Sequence, residues 1–170
     1  MSCDGLPDAY LDARLQGAIE TELSWGAADM RCEGMERPLG RGLRVAFSGA
    51  AGGERLTLLF AAPTLAEGAA GRAVPVNVTL IREGGALYGT RGEDKCLFDE
   101  VRQDPLPATN PGNGSRRWRI EARGFCLDPA RAIGGGVDAI LLARFDFRGQ
   151  LEWQPYPPPP APATAPSPGP

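Results

Sequence analysis

The chain has 170 residues, with 18 lysines and arginines against 21 aspartates and glutamates, a formal net charge of −3 and no histidine. This mild acidic balance argues against a nucleic-acid-binding protein, which would carry a basic surface. The lack of histidine removes the commonest metal ligand and the usual proton shuttle of catalysis. The length is sufficient for one domain with a substantial hydrophobic core.

The first residues predict a leader or a short helix over residues 1–15. Asp8 is a suitable helix N-cap, with Leu11 and Leu15 further along the same segment. Cys3 is followed by a polar stretch, so the start resembles the mature end of a bacterial lipoprotein and makes Cys3 a lipidation candidate. No signal-peptide pattern occurs at the start. A cytoplasmic location and an export segment outside this chain therefore both stay open.

Short runs of alternating apolar and polar residues predict β-strands along most of the chain. A period of two buries every second side chain of a strand and leaves the others in water. The longest run, residues 139–153, places Ala139, Leu141 and Phe145 on one buried face, with a bend expected at Gly149. Further runs lie at residues 19–25, 43–47, 56–60, 74–80, 96–101 and 118–122, and glycine-rich turns lie between them at residues 49–53, 84–85, 110–114 and 134–136.

These runs predict an all-β domain of about seven to nine strands over residues 16–154. Because each strand has one apolar and one polar face, the strands should pair antiparallel. An antiparallel β-sandwich or an open barrel would bury the apolar faces. Proline dominates residues 155–170, which therefore cannot form a sheet ladder and predict a disordered Pro-rich C-terminal tail.

The four cysteines are widely spaced, which is typical of structural disulfides in exported domains. Cys126 continues the inward parity of the run 118–122, and Cys96 is expected to point inward as well, so a Cys96–Cys126 disulfide is favoured. Such a bond closes a loop of 30 residues and contributes about 3 kcal/mol in the chain-entropy model. Cys3–Cys32 is then the remaining pair, unless Cys3 carries a lipid and Cys32 is free. Four buried, reduced thiols are the alternative.

The densest acidic stretch joins two candidate strands and could in principle bind calcium or act as an acid and a base. The spacing of a calcium loop is absent, so the favoured interpretation is a solvated hairpin whose charges pair across strands, with no metal and no cofactor. Its carboxylates are Glu93, Asp94, Asp99 and Glu100. The arginines predicted to face Asp99 or Glu100 from the polar side of a neighbouring strand are Arg117, Arg119 and Arg123.

Three segments, residues 30–38, 74–81 and 89–96, together resemble a group of uncharacterised exported or lipoprotein-like bacterial proteins, mainly from GC-rich Gram-negative species. The resemblance covers roughly residues 20–150. It implies export and a disulfide-bearing β fold. It implies no activity and no catalytic residue.

The sequence therefore predicts a non-enzymatic domain of the periplasm, the outer envelope or the secreted space. This domain would act by binding or structural association with an unknown protein or envelope component, and would touch a membrane only through a lipid on Cys3. Two alternatives stay open. One is an enzyme in which Asp94, Asp99 and an arginine converge in a deep pocket, and the other is a cytoplasmic partner-binding domain with reduced thiols.

Overall fold

The computed structural model describes residues 3, 5–37, 42–92 and 94–155. These residues form eleven strands in one continuous sheet, which confirms the predicted all-β class. The count exceeds the predicted seven to nine partly because two strands have only three residues, too few to show an alternating pattern. The strands are β1 (Tyr10–Gly17), β2 (Thr21–Gly26), β3 (Met30–Glu36), β4 (Leu43–Ala51), β5 (Glu54–Ala62), β6 (Gly71–Arg82), β7 (Leu87–Gly89), β8 (Cys96–Leu106), β9 (Arg116–Cys126), β10 (Ala130–Ala132) and β11 (Ala139–Trp153).

The sheet closes on itself through seven of these strands. The pairing runs from β3 through β4, β5, β6, β8 and β9 to β11, and β11 returns to β3. All contacts in this ring are antiparallel except the last, where Glu152 and Met35 pair in parallel. A Cβ on Gly34 would lie 2.2 Å from the carbonyl oxygen of Gln150. The glycine at position 34 therefore allows β3 to approach β11 closely enough to close the barrel.

The other four strands extend the barrel at β6 and β11. The β1–β2 hairpin pairs with β11 through β1. On one side, β6 pairs with β8 along residues 71–76 and with β7 along residues 79–81. Strand β11 likewise pairs with β10 at its start and with β9 from Phe145 onward. A gap in the pairing, called the seam below, therefore separates the β8–β9 hairpin from the β7–β10 pair.

Five phenylalanines fill the interior of the barrel, and each is at most 2% exposed. The ring centre of Phe60 lies 4.8 Å from that of Phe145 and 4.9 Å from that of Phe147, which are distances of direct aromatic packing. A Cβ on Gly149 would lie 2.9 Å from the Phe47 ring, so this glycine makes room for an aromatic side chain inside a continuous strand. The five rings belong to Phe47, Phe60, Phe98, Phe145 and Phe147.

The predicted short helix within residues 1–15 is wrong from Tyr10 onward, because residues 10–17 form strand β1. Leu11, Ala13 and Leu15 are buried and alternate with partly exposed polar residues. A period of two suits a strand that pairs on both sides, here with β11 and β2. The pairing with β11 is a contact between opposite ends of the chain, and it overrides the local cap signal of Asp8.

The predicted buried face of β11 is wrong in its first third. Ile140 and Leu142 are buried there, whereas Ala139 and Leu141 are only partly buried. The register with β1 shifts between Arg14 and Leu15, opposite the point where the burial pattern of β11 changes parity. A β-bulge adds one residue to a strand and thereby exchanges its inward and outward side chains.

Two disulfides join Cys96 to Cys126 and Cys3 to Cys32, with Cα–Cα distances of 4.0 and 4.9 Å. These are the two pairs favoured from the sequence. Cys96 and Cys126 are direct register partners at the ends of β8 and β9, beside the seam. The Cys3 sulfur is bonded to Cys32, so it cannot at the same time form the thioether of a lipid. The disulfide and the predicted lipidation of Cys3 are therefore alternatives, and the structure has the disulfide.

The segment before β1 packs against the core, with Cys3, Leu6 and Ala9 each about 3% exposed. Most of the predicted Pro-rich tail, residues 156–170, lies outside the described residues. Within the described part of the chain, none of the elements is a helix long and apolar enough to cross a membrane.

Candidate functional site

The outward side chains of β1, β11, β9 and β8 form a continuous polar surface, called the paired face below. The strand register places Tyr10, Arg148, Glu121 and Arg102 in one row across these four strands. Outward residues directly opposite each other in a sheet are close enough for their side chains to interact. Opposite charges therefore alternate along this row.

Glu121 is the centre of the paired face. Its carboxylate accepts hydrogen bonds from Arg148 Nε at 2.7 Å and from Arg102 Nε at 2.8 Å. Arg148 also donates to Asp8 at 2.6 Å, which ties the segment before β1 to the sheet. Burial alone would raise the pKa of the Glu121 carboxyl, but the hydrogen bonds from Arg102 and Arg148 outweigh it and lower the pKa.

Tyr10 lies beside this ion-pair network, at the start of β1. Its hydroxyl donates a hydrogen bond of 2.7 Å to Asp146, and the Arg148 guanidinium lies 5.6 Å from its ring centre. Burial, followed by the hydrogen bond to Asp146, raises the pKa of Tyr10 to about 12. A tyrosine with a raised pKa keeps its proton and acts as a hydrogen-bond donor rather than as a base.

A depression of about 220 Å³ lies on the paired face between Tyr10, Glu121 and Arg123. Both arginines that line it are bonded to carboxylates: Arg123 donates to Glu100 at 2.7 Å, and Arg102 donates to Glu121. Arginines that are already paired in this way make little positive charge available to a ligand.

The structure separates the members of the predicted acidic stretch. Asp99 and Glu100 lie at a register shift of β8 and both approach Arg123, at 4.0 and 2.7 Å. Asp94 is exposed, and Glu93 lies outside the described residues. The residues that the structure describes contain no group of three carboxylates or cysteines arranged to hold a metal ion.

Of the three arginines, Arg123 is the one whose ion pairs among the described residues include Asp99 and Glu100. Arg117 donates to Gln150 at 2.6 Å and to the carbonyl of Pro107, and Arg119 lies 3.8 Å from Asp8. The expectation is wrong for Arg117 and Arg119 because their register partners on β8 are Leu106 and Asp104, well past Glu100.

A second depression, of about 250 Å³, lies beside the end of β11, next to Trp153. Arg116 binds Glu67 through two hydrogen bonds of 2.6 and 2.8 Å, and the Trp118 indole donates to the same carboxylate. The hydrogen bonds from Arg116 lower the pKa of Glu67 against the opposing effect of burial. As on the paired face, the arginine of this depression, Arg116, is already paired with a carboxylate.

The largest of the three depressions, about 330 Å³, lies at the seam. Three cations line it: Arg91 after β7, Lys95 before β8 and Arg131 on β10. None of the three belongs to an ion pair among the described residues. Sequence reasoning missed this site because Arg131 lies on β10, far along the chain from the β7–β8 connection that carries Arg91 and Lys95. The one available signal is that Lys95 is the only lysine of the chain.

Comparison with known protein families, curated proteins and solved structures gives no match. The resemblance to exported bacterial proteins therefore stays a prediction.

Proposed function

We propose that this chain is a non-enzymatic domain of the periplasm, the outer envelope or the secreted space. It acts by binding or structural association through its outer surface. The observation that carries this proposal is the pair of disulfides, Cys3–Cys32 and Cys96–Cys126. Structural disulfides form and persist in oxidising compartments and are rare in the cytoplasm.

The packing supports a surface role. Ligand-binding barrels enclose a cavity, whereas aromatic rings occupy the interior of this one. The carboxylate and arginine alternative required Asp94, Asp99 and an arginine in one deep pocket. Asp99 and Arg123 are instead exposed partners on the paired face, at 62% and 60% exposure of their side chains.

The proposal is tested on natively expressed protein, by intact mass after alkylation with and without prior reduction, together with fractionation of the source cells. We expect the four cysteines to gain four alkyl groups only after reduction, and the protein to be found in the envelope or the medium. The Cys3→Ser/Cys32→Ser variant is the matched control and should gain two groups. Full alkylation without reduction, with the protein in the cytoplasm, would overturn the proposal.

The same mass spectrum tests the alternative at Cys3. A lipid-sized mass increase together with a single disulfide would mean that Cys3 is acylated and that Cys32 is free. That result would retain the envelope location and overturn the Cys3–Cys32 bond.

A further inference from the structure

We infer that the depression at the seam is a binding site for phosphoryl groups, formed by Arg91, Lys95 and Arg131. This inference deepens the proposed function, on which it rests, by naming the ligand class of the binding domain. Its chemical basis is that three cations line one concave surface and that none of them forms an ion pair among the described residues.

The cations are held by backbone anchors on both sides of the seam. Arg131 lies on β10 and pairs with Gly89 of β7 and with Ala139 of β11. The carbonyl of Lys95 accepts a hydrogen bond of 2.7 Å from the Leu127 amide, next to the Cys96–Cys126 disulfide. Fixing the backbone near a cation lowers the entropy lost when it closes on a ligand.

Arg91 is held by the segment in which it lies. Thr90, directly before it, is buried, and its amide donates to the Val78 carbonyl at 3.0 Å. The Thr90 hydroxyl accepts a hydrogen bond of 2.9 Å from the Val78 amide. Asn77, with its amide oriented to donate, reaches the Gly92 carbonyl at 3.0 Å on the other side of Arg91. The Arg91 backbone is thus anchored on both sides while its side chain is exposed.

Glycine and an apolar side chain shape the floor of the depression. A Cβ on Gly89 would lie 2.9 Å from the Ile133 side chain, so the absence of a side chain at position 89 lets Ile133 lie over β7. Ile133 is fixed by the hydrogen bond of 2.8 Å from its amide to the Leu87 carbonyl. Gly134, the next lining residue, has a φ of +89°, which favours glycine. The result is an open surface with cations around it.

The residue types favour a phosphoryl group over a single carboxylate. Arginine guanidinium groups bind phosphate oxygens through two parallel hydrogen bonds, and lysine adds a point charge. A phosphate monoester carries close to two negative charges near neutral pH, whereas a carboxylate carries one. The volume of about 330 Å³ is at the lower end of small-ligand pockets, which suits a headgroup or a small phosphate compound.

The single lysine allows a direct test in the full chain, with pyrophosphate as the probe. Lys95 and the N-terminal amine are the amines available to an acylating reagent. The N-terminal amine therefore reports, in the same molecule, any effect of pyrophosphate on acetylation that does not depend on the seam. We expect about 1 mM pyrophosphate to slow acetylation of Lys95 at least about threefold, read by peptide mass spectrometry. The N-terminal amine should not change, and sodium chloride of equal ionic strength should have no such effect.

The Arg91→Ala/Arg131→Ala variant should lose this protection while retaining the thermal unfolding temperature of the native protein. The Arg14→Ala/Arg144→Ala variant is the matched control, because it removes two arginines that bind Glu22 and do not line the depression. It should keep the protection. The inference would be overturned by any of three results. These are equal slowing of acetylation at both amines, no slowing at Lys95, and protection of Lys95 that survives in Arg91→Ala/Arg131→Ala.

A vesicle arm distinguishes the two sources of the phosphoryl group. Vesicles of phosphatidylcholine with about one-third phosphatidic acid, whose headgroup is a phosphate monoester, should protect Lys95 and sediment with the protein if the source is a lipid headgroup. Protection by pyrophosphate without sedimentation identifies a soluble phosphate ligand, and both outcomes support the site. Failure of both arms overturns the inference while leaving the alkylation result, and with it the proposed function, intact.

Discussion

The paired face and the seam use the same charged residue types in opposite ways. On the paired face, Arg148 and Arg102 both bind Glu121, so their charges contribute to the cohesion of neighbouring strands. At the seam, Arg91 and Arg131 have no ion-pair partner among the described residues and share a depression with the one lysine. A charge already neutralised by its own fold offers little to a ligand. Binding of an external anion is therefore expected at the seam.

The seam also exposes more large apolar side chains than the paired face does. Among the described residues, the large hydrophobic side chains that are exposed are Ile81, Leu127, Ile133 and Val137. Ile81 pairs with Leu87 on β7, and the Ile133 amide bonds to the carbonyl of Leu87, so these residues lie on the β7–β10 side. On the paired face, the large apolar residues of β1 and β9, such as Leu11 and Ile120, point inward. The β7–β10 side of the seam, which carries cations without ion-pair partners among the described residues, is thus also a region of exposed apolar side chains.

Removing the Cys96–Cys126 disulfide should have the largest effect, because this bond stands between the two regions. We expect Cys96→Ser/Cys126→Ser to lower the free energy of unfolding by about 3 kcal/mol, measured by urea denaturation, and to abolish protection of Lys95 by pyrophosphate. The Cys3→Ser/Cys32→Ser variant removes a disulfide that closes a loop of similar length, 29 against 30 residues. This variant should lose comparable stability but keep the protection of Lys95. Equal loss of protection in both variants would contradict this separation.

Glu121→Ala should have the second-largest effect on stability, because it leaves two arginines of the paired face without their shared carboxylate. Arg148 is 27% exposed, so its unmet hydrogen-bonding groups are partly shielded from water. We expect the free energy of unfolding to fall by about 1–2 kcal/mol. Asp138→Ala, at an exposed position on the β10 side, is the control and should stay within about 0.5 kcal/mol of the native protein. If Glu121→Ala and Asp138→Ala lost similar free energies of unfolding, the ion pairs of Glu121 would not stabilise the paired face more than an exposed residue on the β10 side does.

Acid should act on the paired face through the same carboxylate. The pKa of Glu121 is lower in the folded protein than its ordinary value of 4.5, so the folded state binds fewer protons there than the unfolded state. The stabilisation is present above that value and is lost as the pH falls through the folded pKa. We expect stability to fall less steeply between about pH 5 and about pH 3 in Glu121→Gln than in the native protein. The measurement is the thermal unfolding temperature of both proteins as a function of pH. Parallel pH profiles for the native protein and Glu121→Gln would contradict this expectation.

The sequence predicted what depends on local alternation. The inward parity of Ile120 and Ala122 continues to Cys126, and this is why the sequence alone favours a pairing with Cys96. The alternation on β4 and β5 likewise predicted the buried positions correctly, for instance at Phe47 and Phe60. In these strands no residue interrupts the period of two.

The sequence did not predict features set by pairing between distant segments. The change of parity in β11 near Arg144 depends on how that strand fits β1, and no residue type signals it. The seam unites Arg91, Lys95 and Arg131 only because β6 and β11 each accept two successive partners on one side. Alternation reports which face of a strand is buried, and it carries no information on which strand lies next to it.

The smallest expected effect on stability is that of Arg91→Ala/Arg131→Ala. Both side chains are exposed and belong to no ion pair within the described part of the chain. Their removal therefore breaks no such pair and reduces repulsion around Lys95. We expect the free energy of unfolding to stay within about 0.5 kcal/mol of the native value, and any gain to vanish at about 1 M salt, where charges are screened within about 3 Å. A loss above about 1 kcal/mol would mean that these arginines hold β7 and β10 in place. Both regions would then use their cations for cohesion.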